Sequence, residues 1–148
     1  MKQERCSVCG LPAIEKCKEC PQCLTAYNQP VCHVRKPCKV VPKGWGKEIW
    51  IANNDKYCGK ILCMDRGKGF SDHFHINKTE TFYVLCGFGT LILREKDGRE
   101  YTYQLEKGMC IDITPGLMHE IKASCYLELM EVSTHHEDED SYRVKKGD

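Results

Sequence analysis

Three histidines and one glutamate are spaced to form a metal cage in this chain: His73, His75, Glu80 and, well downstream, His119. Side chains two apart on a β-strand point to one face, so His73 and His75 can address a single ion. Glu80 follows after a short connection and can present its carboxylate from the adjacent strand. His119 belongs to a later, glycine-punctuated segment and would close the cluster. Imidazoles plus one carboxylate, with positions left for water or substrate, suit a catalytic divalent transition metal, with Zn, Mn, Fe, Ni and Co all eligible. One negative ligand leaves such a complex positive, able to act as a Lewis acid on a carbonyl or diol.

The elements that must carry these residues read as strands. From Trp45 to Val132 short apolar runs alternate with turn signals. Strands are predicted at 48–52, 57–65, 72–76, 80–86, 88–94, 99–105, 109–114, 118–123 and 125–132. Asn53-Asn54-Asp55, Gly67 to Gly69, Gly87, Asp97-Gly98, Gly108 and Pro115-Gly116 break them, and Asp97-Gly98 is the clearest hairpin. Regularly spaced short strands of this kind predict an all-β sandwich, jelly roll or small barrel. Alternation from Glu80 aims Phe82 and Val84 inward along the pocket wall, while alternation from His119 turns Glu120 outward.

The spacing is more specific than any one residue. Gly67, His73, His75, Glu80 and Gly87 form one block; Gly108, Thr114, Pro115, Gly116 and His119 form a second. This pair of blocks resembles the cupin superfamily, whose two motifs supply a metal site inside a single β-jelly roll (a double-stranded β-helix). Thr114 stands where proline is usual in that family, and Ala123 where asparagine often appears. Neither position is a ligand. The segment Pro42 to Trp50, then Tyr57 to Lys60 and Glu80 to Gly87, is similar to the cupin domain of type II mannose-6-phosphate isomerases and related sugar-isomerase cupins. That resemblance covers roughly residues 42–132. It implies a metal-dependent enzyme acting on a sugar or sugar phosphate, by aldose–ketose isomerisation.

Isomerisation needs a group that shuttles a proton between adjacent carbons. Glu120, Glu128, Lys60 and Tyr83 are within range of the predicted site, and Lys60, Lys78 and Arg94 are candidates for a phosphate contact. Each is first expected on the solvated surface, and none is assigned a catalytic role. The same four ligands can hold Fe(II) in a non-haem dioxygenase. They also suit a non-catalytic cupin that senses a small molecule and engages a partner through a zinc knuckle.

Seven of the twelve cysteines lie in the first 38 residues. Cys6, Cys9, Cys17, Cys20, Cys23, Cys32 and Cys38, with His33, offer eight donors, enough for one or two tetrahedral structural zinc ions. An iron–sulfur cluster on Cys17, Cys20 and Cys23 is the rival, and it lacks the usual fourth cysteine followed by proline. So short and cysteine-dense a unit cannot bury enough apolar surface to fold unaided. The remaining five cysteines, Cys58, Cys63, Cys86, Cys110 and Cys125, sit among apolar neighbours and read as packing residues.

The chain thus divides into a zinc-binding module at 1–41, a β-barrel at 42–132 and a charged, solvated tail at 133–148, with a linker near Pro37 to Pro42. Within that tail, His135 and His136 have at most incidental metal affinity. A formal net charge of +1 gives no electrostatic case for nucleic acid or an anionic membrane, and stacking aromatics are nearly absent from the front end. No apolar run approaches a membrane span, and the start lacks a signal peptide's apolar stretch, so a cytoplasmic location is expected. Pairing through edge strands would make a homodimer.

Overall fold

The computed structural model describes Lys36 and residues 39–144. The chain forms eleven strands within them: β1 Lys39–Lys43, β2 Gly46–Asn53, β3 Cys58–Met64, β4 Gly69–Phe74, β5 Glu80–Cys86 and β6 Gly89–Arg94. β7 Glu100–Leu105, β8 Cys110–Ile113, β9 Met118–Ala123, β10 Leu127–Ser133 and β11 Tyr142–Arg143 complete the set. One 3-10 turn, Asp138–Asp140, precedes β11. Each of the nine strands predicted from alternation is present, within three residues at either end.

Two antiparallel sheets face each other. One has the order β1-β2-β3-β10-β5-β8, the other β11-β4-β9-β6-β7. Sequence neighbours such as β4 and β5 lie in different sheets, the arrangement of a jelly roll. Leu62, Met64, Phe82, Val84, Leu91, Ile121 and Leu129 alternate inward and fill the space between the sheets. Asp97-Gly98 turns β6 into β7 as expected, with Arg94 paired to Glu100. Gly87 is a turn position that requires glycine. Its φ is +89°, and a Cβ there would lie 2.0 Å from the Tyr126 carbonyl oxygen.

Two expectations need correction. Residues around Pro42 are not a linker: β1 pairs with β2 from Lys39↔Trp50 to Lys43↔Gly46. Proline is tolerated because β1 is an edge strand, where one N–H face needs no partner. Nor are residues 134–144 a solvated tail. Tyr142 stacks on Phe74 with ring centroids 5.3 Å apart, β11 extends the second sheet, and Asp140 is buried. One aromatic contact and one buried carboxylate outweigh the polar composition around them. Cys58 and Cys63 are buried, as packing residues should be, whereas Cys110 is exposed.

The eight zinc candidates, Cys6, Cys9, Cys17, Cys20, Cys23, Cys32, His33 and Cys38, lie outside the described residues. Among the described residues no helix is long and apolar enough to cross a membrane.

Candidate metal centre

The four residues singled out by spacing meet on the inner side of the sandwich. His73 on β4 is paired with His119 on β9, which brings two distant stretches of chain side by side. His75 lies just past the end of β4, and Glu80 opens β5 from the opposite sheet. One ring nitrogen from each of His73, His75 and His119 falls within 4.8 Å of the other two. The Glu80 Oε2 atom is 3.3 Å from His119 Nε2 and 3.5 Å from His75 Nε2.

Backbone carbonyls decide which nitrogen of each ring faces the centre. His73 Nδ1 donates to the Ser71 oxygen at 2.8 Å, His75 Nδ1 to Asp140 at 2.8 Å and His119 Nδ1 to Leu117 at 3.1 Å. A carbonyl can only accept, so each Nδ1 carries the proton and each Nε2 keeps its lone pair. The Nε2 atoms of His75 and His119 and Oε2 of Glu80 are buried without a hydrogen-bond partner. Lone pairs pointed at a carboxylate oxygen repel unless a cation lies between them.

A proton is a poor candidate for that cation. Burial, then the neighbouring His119, pushes the His73 imidazole down to about 3, and burial also lowers His75. Phe70 sits edge-on to His73 and His119, with centroids at 5.3 and 5.9 Å, and supplies much of that apolar surrounding. Burial opposes charge on Glu80 as well. The Lys78 ammonium, bonded to the carboxylate, opposes that cost, and the carboxyl is held well below the usual range. Neutral imidazoles beside an ionised carboxylate are the donor set that a divalent transition metal takes.

Above this floor opens a cavity of about 270 Å³. Trp45, Phe70 and Phe82 form part of its wall, and charged groups form most of the rest. Lys60 and Lys78, expected on the solvated surface, are instead buried at 2% and 3% exposure. Lys78 Nζ donates to Glu80 and, at 2.6 Å, to Glu131 Oε1, which also accepts from Ser133 at 2.9 Å. Burial works against the Lys78 charge, but Glu131 and Glu80 prevail and raise the group above its ordinary value. Lys60 Nζ is 3.8 Å from Glu131, 3.1 Å from His136 Nδ1 and 4.4 Å from the Trp50 ring centre.

Other candidates fall away from the cavity. Glu120 and Arg94 form an outer-face network in which Arg94 binds Asp72 at 2.7 Å and Glu100 at 2.8 Å. Glu128 accepts from the Tyr126 hydroxyl, and Tyr83 is exposed. Phe82 and Val84 do point inward.

Sequence reasoning missed Asp140, Glu131 and His136. The Asp140 carboxylate accepts from the backbone N–H groups of Ile76, Asn77 and Lys78, fixing the turn that carries His75 toward Glu80. His136 is clamped by reciprocal 3.0 Å bonds with Asn53. No local signal marks either residue, since both lie in a stretch of charged neighbours. Glu131 was visible only as an inward position of β10.

Solved structures of similar fold include CapF, a capsular polysaccharide assembling protein from Staphylococcus aureus, at 19% identity and TM-score 0.68, over 78% of this chain and 34% of that one. An oxalate decarboxylase from Lactobacillus farciminis, in complex with formate, matches at 15% and 0.65, over 76% and 37%. Oxalate decarboxylase from Bacillus subtilis, a protein with Mn(II) centres, matches at 14% and 0.65, over 78% and 34%. The chain spans about a third of the length of each. At these identities the likeness shows the fold, which is the cupin jelly roll. No family model and no curated protein matches the chain.

Proposed function

We infer that this chain is a metal-dependent cupin enzyme that isomerises a small sugar or sugar phosphate between aldose and ketose. One observation carries the metal: an unpartnered Glu80 carboxylate oxygen lies within 3.5 Å of the unpartnered Nε2 atoms of His75 and His119, and His73, His75 and Glu80 line the cavity. His73, His75, Glu80 and His119 would hold it, and when bound it would polarise a carbonyl or diol oxygen. Cavity charge supports an oxygen-rich or anionic substrate. The cations Lys43, Lys60, Lys78 and Arg143 balance the carboxylates Glu48, Glu80, Glu131 and Asp138, so a divalent ion leaves the pocket positive.

The protein's own residues supply the remainder. Glu131, held by Lys78 and Ser133 on the cavity wall, is the group we assign to taking and returning the carbon-bound proton. Lys78 holds Glu131 in its orientation through the 2.6 Å bond. Trp45, Phe70 and Phe82 exclude water from the reacting carbons. The test is incorporation of solvent deuterium at C1 or C2 of aldoses, ketoses and their phosphates by metal-loaded protein. Exchange that disappears on chelation and in Glu131→Gln supports the assignment, and exchange by neither sugars nor their phosphates contradicts it.

A second reading rests on the likeness to oxalate decarboxylases: cleavage of a small dicarboxylate in the same cavity. Carbon dioxide release from oxalate, without deuterium exchange into sugars, would select it. Oxygen uptake with Fe(II) would select a dioxygenase, and tight sugar binding with no turnover a sensor.

A further inference from the structure

His136, away from the metal centre, holds its ring proton on the opposite nitrogen from the three histidines inside it. Lys60 Nζ lies 3.1 Å from His136 Nδ1, and an ammonium can only donate, so this nitrogen carries the lone pair. The ring proton then sits on Nε2, which donates to Asp138 Oδ1 at 3.1 Å. Hydrogen bonds thus run one way, from Lys60 to His136 to Asp138. The same order runs from inside to outside. Lys60 is buried on the cavity wall, the His136 side chain is 13% exposed and that of Asp138 is 90% exposed.

Groups that do not titrate hold the ring in place. Asn53 clamps His136 with two 3.0 Å bonds, and the Trp50 ring stands edge-on to the imidazole at 5.1 Å. Burial, then the charges of Lys60 and Lys78, lowers the imidazole below its ordinary value, while the Asp138 bond and Glu131 work the other way. A neutral imidazole is a poor counter-ion for a buried ammonium, where a carboxylate would serve better. What it offers instead is transfer: one nitrogen can accept a proton while the other releases one.

Glu131 stands at the inner end. Its Oε1 takes the bonds from Lys78 and Ser133, and Oε2 faces Lys60 at 3.8 Å, a gap that a small side-chain adjustment or one bridging water closes. We propose that Lys60, His136 and Asp138 form a proton port connecting the Glu131 carboxylate to bulk water. Its use in turnover rests on the assignment of Glu131 as the base; the port itself does not. Protons balance along it. Protonated Glu131 gives its proton to Lys60 as Lys60 passes one to His136 Nδ1, and His136 Nε2 releases one to Asp138 or to water. No bonds other than N–H and O–H are made or broken. The reverse sequence carries a solvent proton inward and restores the ring.

Solvent exchange of the lysine ammonium protons, followed by NMR on the full zinc-loaded chain with isotope-labelled lysine, tests this without any substrate. Lys78 is the internal control: it is as buried as Lys60, and its bonds go to Glu80 and Glu131 rather than to a histidine. In the natural chain Lys60 exchanges faster than Lys78 by about tenfold or more. His136→Gln keeps a polar side chain of similar size that cannot relay a proton; it slows Lys60 by about tenfold or more and leaves Lys78 unchanged. Asp138→Asn, at an exposed position that does not endanger folding, slows Lys60 by a smaller factor. During turnover of a sugar in heavy water, His136→Gln carries less solvent deuterium into product and retains more of the substrate's own hydrogen. Lys60 exchange no faster than that of Lys78, or unmoved by His136→Gln, overturns the port. Fast Lys60 exchange that His136→Gln slows, in a chain that turns over no sugar, keeps the port and discards the isomerase reading.

Discussion

Oε2 of Glu80 stands 3.3 Å from Nε2 of His119, and neither atom has a hydrogen-bond partner. The two residues come from opposite sheets, so closing the sandwich forces them together. Apolar packing of Phe70, Phe82 and Ile121 around them does the forcing. Lys78 pairs with Oε1 of Glu80, but without a further cation Oε2 would face two imidazole lone pairs inside the fold, an unfavourable contact. Metal binding at this centre would be coupled to folding.

Asp140→Ala removes the acceptor for three backbone N–H groups in the turn after His75. Metal affinity is expected to fall by about 10- to 100-fold, since the turn aims a ligand without touching the ion. Stability drops by about 1–3 kcal/mol. Isothermal titration with Mn(II) or Zn(II), paired with urea unfolding, measures both. An unchanged affinity would mean that the tail contributes nothing to the centre.

Lys78→Met leaves Glu80 and Glu131 buried without their shared cation. Breaking such an arrangement costs about 3–5 kcal/mol. Adding Glu131→Gln removes one stranded charge and recovers part of the loss. Urea unfolding of the single and double variants checks the order. A neutral Lys78→Met would show that the ammonium is not structural.

Chelated protein should lose stability as pH falls from about 6.5 toward 3. The His73 imidazole titrates near 3 when folded and near 6.5 when unfolded. Between these values the unfolded chain binds a proton that the folded chain refuses, so stability rises with pH there and is complete above about 6.5. Glu80, also lowered on folding, extends the loss below its ordinary range. Thermal unfolding of natural chain and His73→Gln across this window is the measurement. A slope in the natural chain that flattens in His73→Gln is expected, and identical slopes contradict the assignment.

Much of the fold was legible because alternation and glycine breaks are local signals. Gly87 is a case in point: its positive φ and the adjacent Tyr126 carbonyl admit no side chain. The four metal donors were legible because their spacing encodes one strand, one turn and the next strand. The rest of the site was not. Lys78 and Glu131 are 53 residues apart and meet only through the pairing of β5 with β10. Lys60 looked like any surface lysine until its strand was placed inside the sandwich. Asp140 was hidden in an acidic run, where composition argues for solvent and one carboxylate is nevertheless buried.

Anomalous diffraction from crystals of the metal-loaded full chain tests the central claim most directly. A single peak is expected about 2.0–2.2 Å from Nε2 of His73, His75 and His119 and from a Glu80 carboxylate oxygen. A fully loaded crystal in which those atoms coordinate nothing, with metal only elsewhere in the chain, would contradict it.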